Sequence, residues 1–288
     1  ADGNYTLELQ GSGKFNLIFA RAGWMRLKDQ VDAGELRTQA KDVELPKADL
    51  TGDITAAVNR LRESGFSETE AVQALKDIGH STLTIAPLLR TIYALDPSRE
   101  AKALSGGGFT SNETAAGLKA AQFSCTETVA ALKALNAAPA DIVVSTREAQ
   151  FGDAEIATGL RAASFGTRDQ IDALRQAGYQ AGKIAALVRG SGYKAREVGN
   201  DLAEAYGLDT AVESLKSAGY APADVMDWLF FSGRTAADAV RISGYGLAEA
   251  VVALKACGRP PQEIGLAVKA LSARSSTAGS RSSGTSGS

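Results

Sequence analysis

Apolar and polar positions recur along this chain with a period of 14 residues, from about residue 52 to residue 273. The stretch Gly178 to Ser191 is one whole unit, and Gly192-Tyr193 begins the next. One column holds Gly65, Gly79, Gly108, Gly178, Gly192, Gly219, Gly233, Gly244 and Gly258, with Tyr93, Gln122, Asn136, Gln150, Ser164 and Tyr206 in the same slot between them. Most steps are 14 residues; the exceptions are 15 (93 to 108), 13 (206 to 219) and 11 (233 to 244). A fixed period of this length marks a repeat architecture.

Each unit reads as a short capped helix. Gly or Asn136 suits the left-handed residue just past a helix C-terminus. An apolar ring often follows (Phe66, Phe109, Phe123, Phe151, Phe165, Tyr179, Tyr193, Tyr220, Tyr245), placed to staple onto the next helix. Then comes a capping residue, such as Ser67, Ser81, Thr110, Ser124 or Thr235. An acid often lies three positions further on, as at Glu70, Glu113 and Asp238. That spacing is a capping box, and it sets negative charge at the positive helix end. Pro139, Pro222 and Pro261 fall at the first helical position, where the missing N–H costs nothing. A leucine column lies four residues before the glycine column, and the next residue is usually Lys or Arg. Cations there complement a helix C-terminus.

Helices of about ten residues, roughly 15 Å long, are marginal alone. Stacked neighbours must bury their apolar stripes, so the pattern predicts a mainly α fold. It is an α-solenoid of about fifteen short helices with a 14-residue repeat, two units making a helical hairpin. This array spans 51–273.

Residues 1–50 do not follow the repeat. Tyr5 to Gln10 alternates, Gly11-Ser12-Gly13 turns, and Lys14 to Ala20 alternates again, which reads as a β-hairpin. Trp24 to Leu45 fits further strands broken at Ala33-Gly34, or a helix over Trp24–Val31; strands are favoured. A hairpin is marginal by itself, so this small β-rich segment is expected to cap the first helices or to pair with another chain. Tyr5, Leu7, Leu9, Phe15, Leu17, Phe19 and Trp24 are its candidate contact residues. Residues 274–288 form a Ser/Gly-rich tail.

Four places depart from the pattern, among them Tyr206-Gly207, which is offset by one, and Gly244-Tyr245-Gly246, which ends a shortened unit. Over 85–107 a longer helix with Pro87 in its first turn, a break at Asp96-Pro97-Ser98 and the run Gly106-Gly107-Gly108 are expected. At Phe230 an aromatic replaces the usual cation, beside Trp228 and Phe231, a cluster that reads as extra core or as a contact patch.

Charge is nearly balanced, at −2 with a pI near 5.7. A ladder of basic residues could read phosphates one unit at a time. Here most of the cations share a helix with an acid, so a helix-dipole complement on a solvated face is the favoured role and nucleic acid is not the expected partner. No apolar run reaches the length that spans a membrane. His80 is the sole histidine and sits in the ring column, while Cys125 and Cys257 are nine repeats apart. That set predicts no disulfide, metal, cofactor or histidine-based catalysis. Asn4 and Asn112 begin glycosylation sequons, Asn112 in an exposed cap loop. The small residue Ala1 fits signal-peptide cleavage and sets the expectation of an extracellular or cell-surface protein.

Gly65-Phe66-Ser67-Glu68-Thr69-Glu70-Ala71 with Ala74-Leu75 resembles one stretch of a ubiquitin-associated domain. In that family Gly-Phe and a capped helix form the binding surface. Ser64 stands where the family usually has Met, and the units continue far beyond its three helices. The resemblance is one of shared cap chemistry.

These features predict a non-enzymatic structural protein, a secreted or surface repeat protein that self-assembles into a filament or layer. The alternative is a monomeric scaffold whose solenoid face holds a protein or peptide. A nucleic-acid-binding array ranks third.

Overall fold

The computed structural model describes residues 14–19, 27–32 and 53–269. It divides into two compact units, the first ending at Ser124 and the second beginning at Cys125. From residue 53 the described residues are helical apart from short turns. They form a solenoid-like helical repeat within each unit.

In the first unit, β1 (Lys14–Phe19) and β2 (Leu27–Asp32) pair antiparallel, Lys14 opposite Asp32 and Phe19 opposite Leu27. Residues 5–10, the partner expected for β1, lie outside the described residues, and β2 pairs with β1 where a helix over Trp24–Val31 was the alternative. Then come α1 (Ile54–Glu63), α2 (Glu68–Asp77), α3 (Thr82–Leu88), α4 (Pro97–Gly106) and α5 (Ser111–Ala120). In this unit α2 packs on α4 and α3 on α5.

The second unit holds α6 (Cys125–Ala134), α7 (Pro139–Glu148), α8 (Asp153–Ala162), α9 (Thr167–Gln176), α10 (Ala181–Gly190) and α11 (Ala195–Tyr206). These are followed by α12 (Leu208–Ser217), α13 (Pro222–Phe231), α14 (Ala236–Ser243), α15 (Leu247–Ala256) and a last helix, α16, over 261–269. Helices two apart pack on one another in two series, α6-α8-α10-α12-α14 and α7-α9-α11-α13-α15. Two consecutive units therefore make the helical hairpin that repeats.

The columns explain this packing. The leucine column is the innermost: Leu75, Leu104, Leu132, Leu160, Leu174 and Leu215 are all essentially inaccessible to water. Where Thr146 takes that place, its hydroxyl donates to the Ile142 carbonyl at 2.7 Å, so the polar atom is satisfied. The residue before the leucine is often small because a helix two places back approaches it. A Cβ on Gly117 of α5 would lie 3.0 Å from Thr82 Cβ and 3.3 Å from Ala86 Cβ of α3. The helix stops follow the expected left-handed pattern. Phe66 N–H donates to the Leu61 carbonyl and Gly65 N–H to the Arg62 carbonyl, both at 3.0 Å, and the same pair of bonds closes helix after helix. The capping boxes form in full at Ser67/Glu70 and Thr110/Glu113. Ser81 occupies a cap position without a side-chain bond.

Two slots are corrected. The left-handed residue is Ala94, not Tyr93, because Pro87 lies inside α3 rather than in its first turn, and the helix continues past it as a π turn over Leu89–Tyr93. Proline removes a donor from the helical ladder, and the wider turn takes up one extra residue. Likewise the left-handed residue is Gly207, not Tyr206, because α11 runs to 12 residues and Gly207 is at once its stop and the start of α12.

Among the described residues, five left-handed positions carry a side chain: Ala94, Gln122, Asn136, Gln150 and Ser164. The left-handed conformation costs an L-residue roughly 1–2 kcal/mol. Gln150→Gly, at φ 66°, should therefore raise the unfolding free energy by about 1 kcal/mol, less what glycine adds to the unfolded chain's entropy. Chemical denaturation followed by helix dichroism measures this.

Candidate functional site

The basic column has a destination that its own helix does not reveal. Many of its cations reach the C-terminus of the helix two places on. Arg62 of α1 donates to the Ile92 carbonyl at 2.6 Å, Lys133 of α6 to Ala163 at 2.5 Å and Arg147 of α7 to Ala177 at 2.8 Å. Lys216 of α12 donates to Ser243 at 2.9 Å, while Lys76, Arg90 and Arg161 do the same to Gly108, Ala121 and Ser191. The carbonyls reached are the acceptors a helix end leaves without partners.

The same cations lie over the rings that follow those helix ends. Arg90 is 4.3 Å from the centre of the Phe123 ring, Lys133 is 4.3 Å from Phe165, and Arg161 is 4.3 Å from Tyr193. Lys76 over Phe109 and Lys216 over Tyr245 repeat the arrangement at 4.6 and 5.0 Å. A cation on a ring face and on a helix C-terminus is favoured twice over. The column is thus not simply a solvated face: these cations tie unit to unit. The rings, expected to staple onto the next helix, also serve as the floor for a cation from two units earlier.

The tyrosines add a second rung. Tyr220 donates its hydroxyl to the Tyr193 carbonyl at 2.9 Å and Tyr206 to the Tyr179 carbonyl at 3.2 Å. The Tyr179 hydroxyl donates to Asp153 at 2.5 Å. Burial, with the Asp153 bond second, pushes the Tyr179 hydroxyl up to about 12. The Tyr179 bond, with Lys183 second, holds the Asp153 carboxyl below its ordinary range.

The aromatic cluster at 228–231 splits three ways. Trp228 is core: it is fully buried, and its indole N–H donates to Asn200 Oδ1 at 2.9 Å. Gly199 of α11 makes the room, since a Cβ there would fall 2.3 Å from the Trp228 ring. Phe230 takes the cation's slot, and the Arg259 guanidinium, in the ring's slot two units on, lies 3.9 Å from its centre. Ring and cation have exchanged places and the contact survives. Phe231 remains 56 % exposed, with the Arg196 guanidinium 3.8 Å from its ring.

Four buried polar side chains stand in one core column, four residues before the leucine column: Glu100, Thr114, Thr128 and Gln170. Gln170 donates to the Phe165 carbonyl at 2.8 Å and to the Tyr193 hydroxyl at 2.7 Å. Neither oxygen of Glu100, nor the Thr114 hydroxyl, has a hydrogen-bond partner. Nothing in the repeat's polar pattern pointed to Glu100; the signal was an acid in a column otherwise held largely by Ala, Ile, Val and Thr.

The remaining candidates fall as follows. Tyr5, Leu7, Leu9, Trp24 and Asn4 lie outside the described residues. Phe15, Leu17 and Phe19 are on β1, opposite Val31, Asp29 and Leu27. Asn112 is exposed but sits in the first turn of α5, not in a cap loop, because Thr110 is the N-cap. Cys125 opens α6 and Cys257 follows α15; both are free thiols. Burial pushes the Cys257 thiol up, and its sulfur lies 3.3 Å from the Ala223 carbonyl oxygen. Among the described residues, no group of three or more His, Cys, Asp or Glu could hold a metal ion. No described helix is long and apolar enough to cross a membrane. Neither a protein-family model nor a curated protein matches the chain.

Proposed function

We propose that this chain is a non-enzymatic structural repeat protein of the cell surface or exterior that associates with further copies of itself, as a filament or layer. One observation carries it. Of the five large apolar side chains that stay exposed among the described residues, four lie at the end of the array: Phe231, Leu247, Val252 and Leu266. Val252 and Leu266, each 67 % exposed, occupy one slot in consecutive helices. In the three helices before them that slot holds Glu213, Asp227 and Asp238. An apolar strip replacing an acidic one is a surface suited to contact. The basic column favours this over a nucleic-acid array, because many of its cations already hold carbonyls and rings.

Sedimentation velocity and negative-stain imaging of the full chain across concentration test the proposal, beside chains lacking 1–50 or 274–288. Self-association should weaken when Val252 and Leu266 are both changed to Asp, which restores the acidic slot and should leave stability within about 0.5 kcal/mol. A single monomeric species at every concentration would sink self-assembly. It would favour the scaffold alternative, with the same strip holding a protein or peptide.

A further inference from the structure

Glu100 is the one carboxyl among the described residues that is fully buried, and neither of its oxygens has a hydrogen-bond partner. It lies in α4, in the column that α2, α3 and α7 fill with Ala71, Ile85 and Ile142. Thr114, in the same slot of α5, is buried with its hydroxyl unpartnered. A carboxylate in such a place has lost its water and gained nothing in return.

The charged groups around it are engaged elsewhere. On α2, Glu68 pairs with Arg99, Glu70 closes the Ser67 capping box, and Lys76 donates to the Gly108 carbonyl. Asp77 has a partner of its own. On α5, Glu113 is bonded to Thr110 and Lys119 is likewise partnered. On α4 itself Asp96 is the N-cap and Lys102 is exposed. Following α3, Arg90 is the cation whose charge reaches Glu100, and it is held by the Ala121 carbonyl and the Phe123 ring. Burial outweighs Arg90 and pushes the Glu100 carboxyl up to about 8.

We infer that the first helical unit contains an alkaline-sensitive device: α4 stays packed on α2 and α5 while Glu100 is neutral, and the packing loosens when its proton is lost. The direction follows from proton linkage. The packed state keeps the proton above the pH at which an open, solvated Glu100 would release it. Packing is therefore fully favoured below the ordinary carboxylate range. The open population then rises about tenfold per pH unit up to the packed-state value near 8, and levels off beyond it.

Amide hydrogen exchange of the full chain, corrected for the intrinsic pH dependence of exchange, reads this opening segment by segment. Protection in α2, α4 and α5 should fall about tenfold per pH unit between roughly pH 5 and 8, while protection in α8 to α12 stays level. Glu100→Gln should flatten the fall, and Glu100→Ile, the side chain found at positions 85 and 142, should also flatten it if the Gln variant folds poorly. A pH-independent α4 in the native chain would overturn the inference. So would a fall that persists unchanged in both variants.

Discussion

Trp228→Ala should lower the unfolding free energy by about 3–5 kcal/mol, the largest loss expected from any single substitution in the described array. The side chain is fully buried in α13, and its indole fills the space that Gly199 leaves on α11. Truncation removes this burial and opens a cavity between two packed helices. Asn200 Oδ1 also loses the indole N–H that it accepts at 2.9 Å. Gly199→Ala attacks the same contact from the other side. Its new Cβ would fall 2.3 Å from the ring, an overpacking that costs about 1–3 kcal/mol. The two changes share one space, so the double variant should lose less than the sum. Denaturation followed by helix dichroism gives all three values.

The second large effect belongs to the cation rungs. Arg161→Met should cost about 1.5–3 kcal/mol, because it removes a charged donor from the Ser191 carbonyl and a cation from the Tyr193 ring. Arg161→Lys should recover part of the loss, since an ammonium keeps the charge but not the planar stack. The rung also explains a glycine. Gly192 has φ 93°, and a Cβ there would lie 2.5 Å from Arg161 Nη1, so both the backbone and the guanidinium exclude a side chain.

Much of this was legible in one dimension. The leucine column, the glycine column and the capping acids are local devices with fixed spacing, and they placed helices such as α5 and α9 within a residue or so. What was not legible depends on partners about thirty positions away. The cation next to each leucine looked like a complement to its own helix end, when it also serves the helix two places on. Phe230 looked like a break in the pattern, yet with Arg259 it is the same rung with ring and cation exchanged. Tyr93 stands one residue out because a π turn shifts the count with no local mark as plain as a glycine, whereas Gly207 itself marks the offset at Tyr206 that the longer α11 produces. Glu100 was overlooked because an acid near a helix start reads as a capping acid. Only its column shows that it points inward.

A double-mutant cycle between Arg161→Met and Tyr193→Leu tests most directly whether the basic column is engaged inside the protein. A rung of cation on ring predicts that the double variant is less damaged than the sum of the singles, with a coupling of about 0.5–2 kcal/mol. Additivity within about 0.3 kcal/mol would contradict it, and would return the basic column to the solvated face, where its cations are free for another partner.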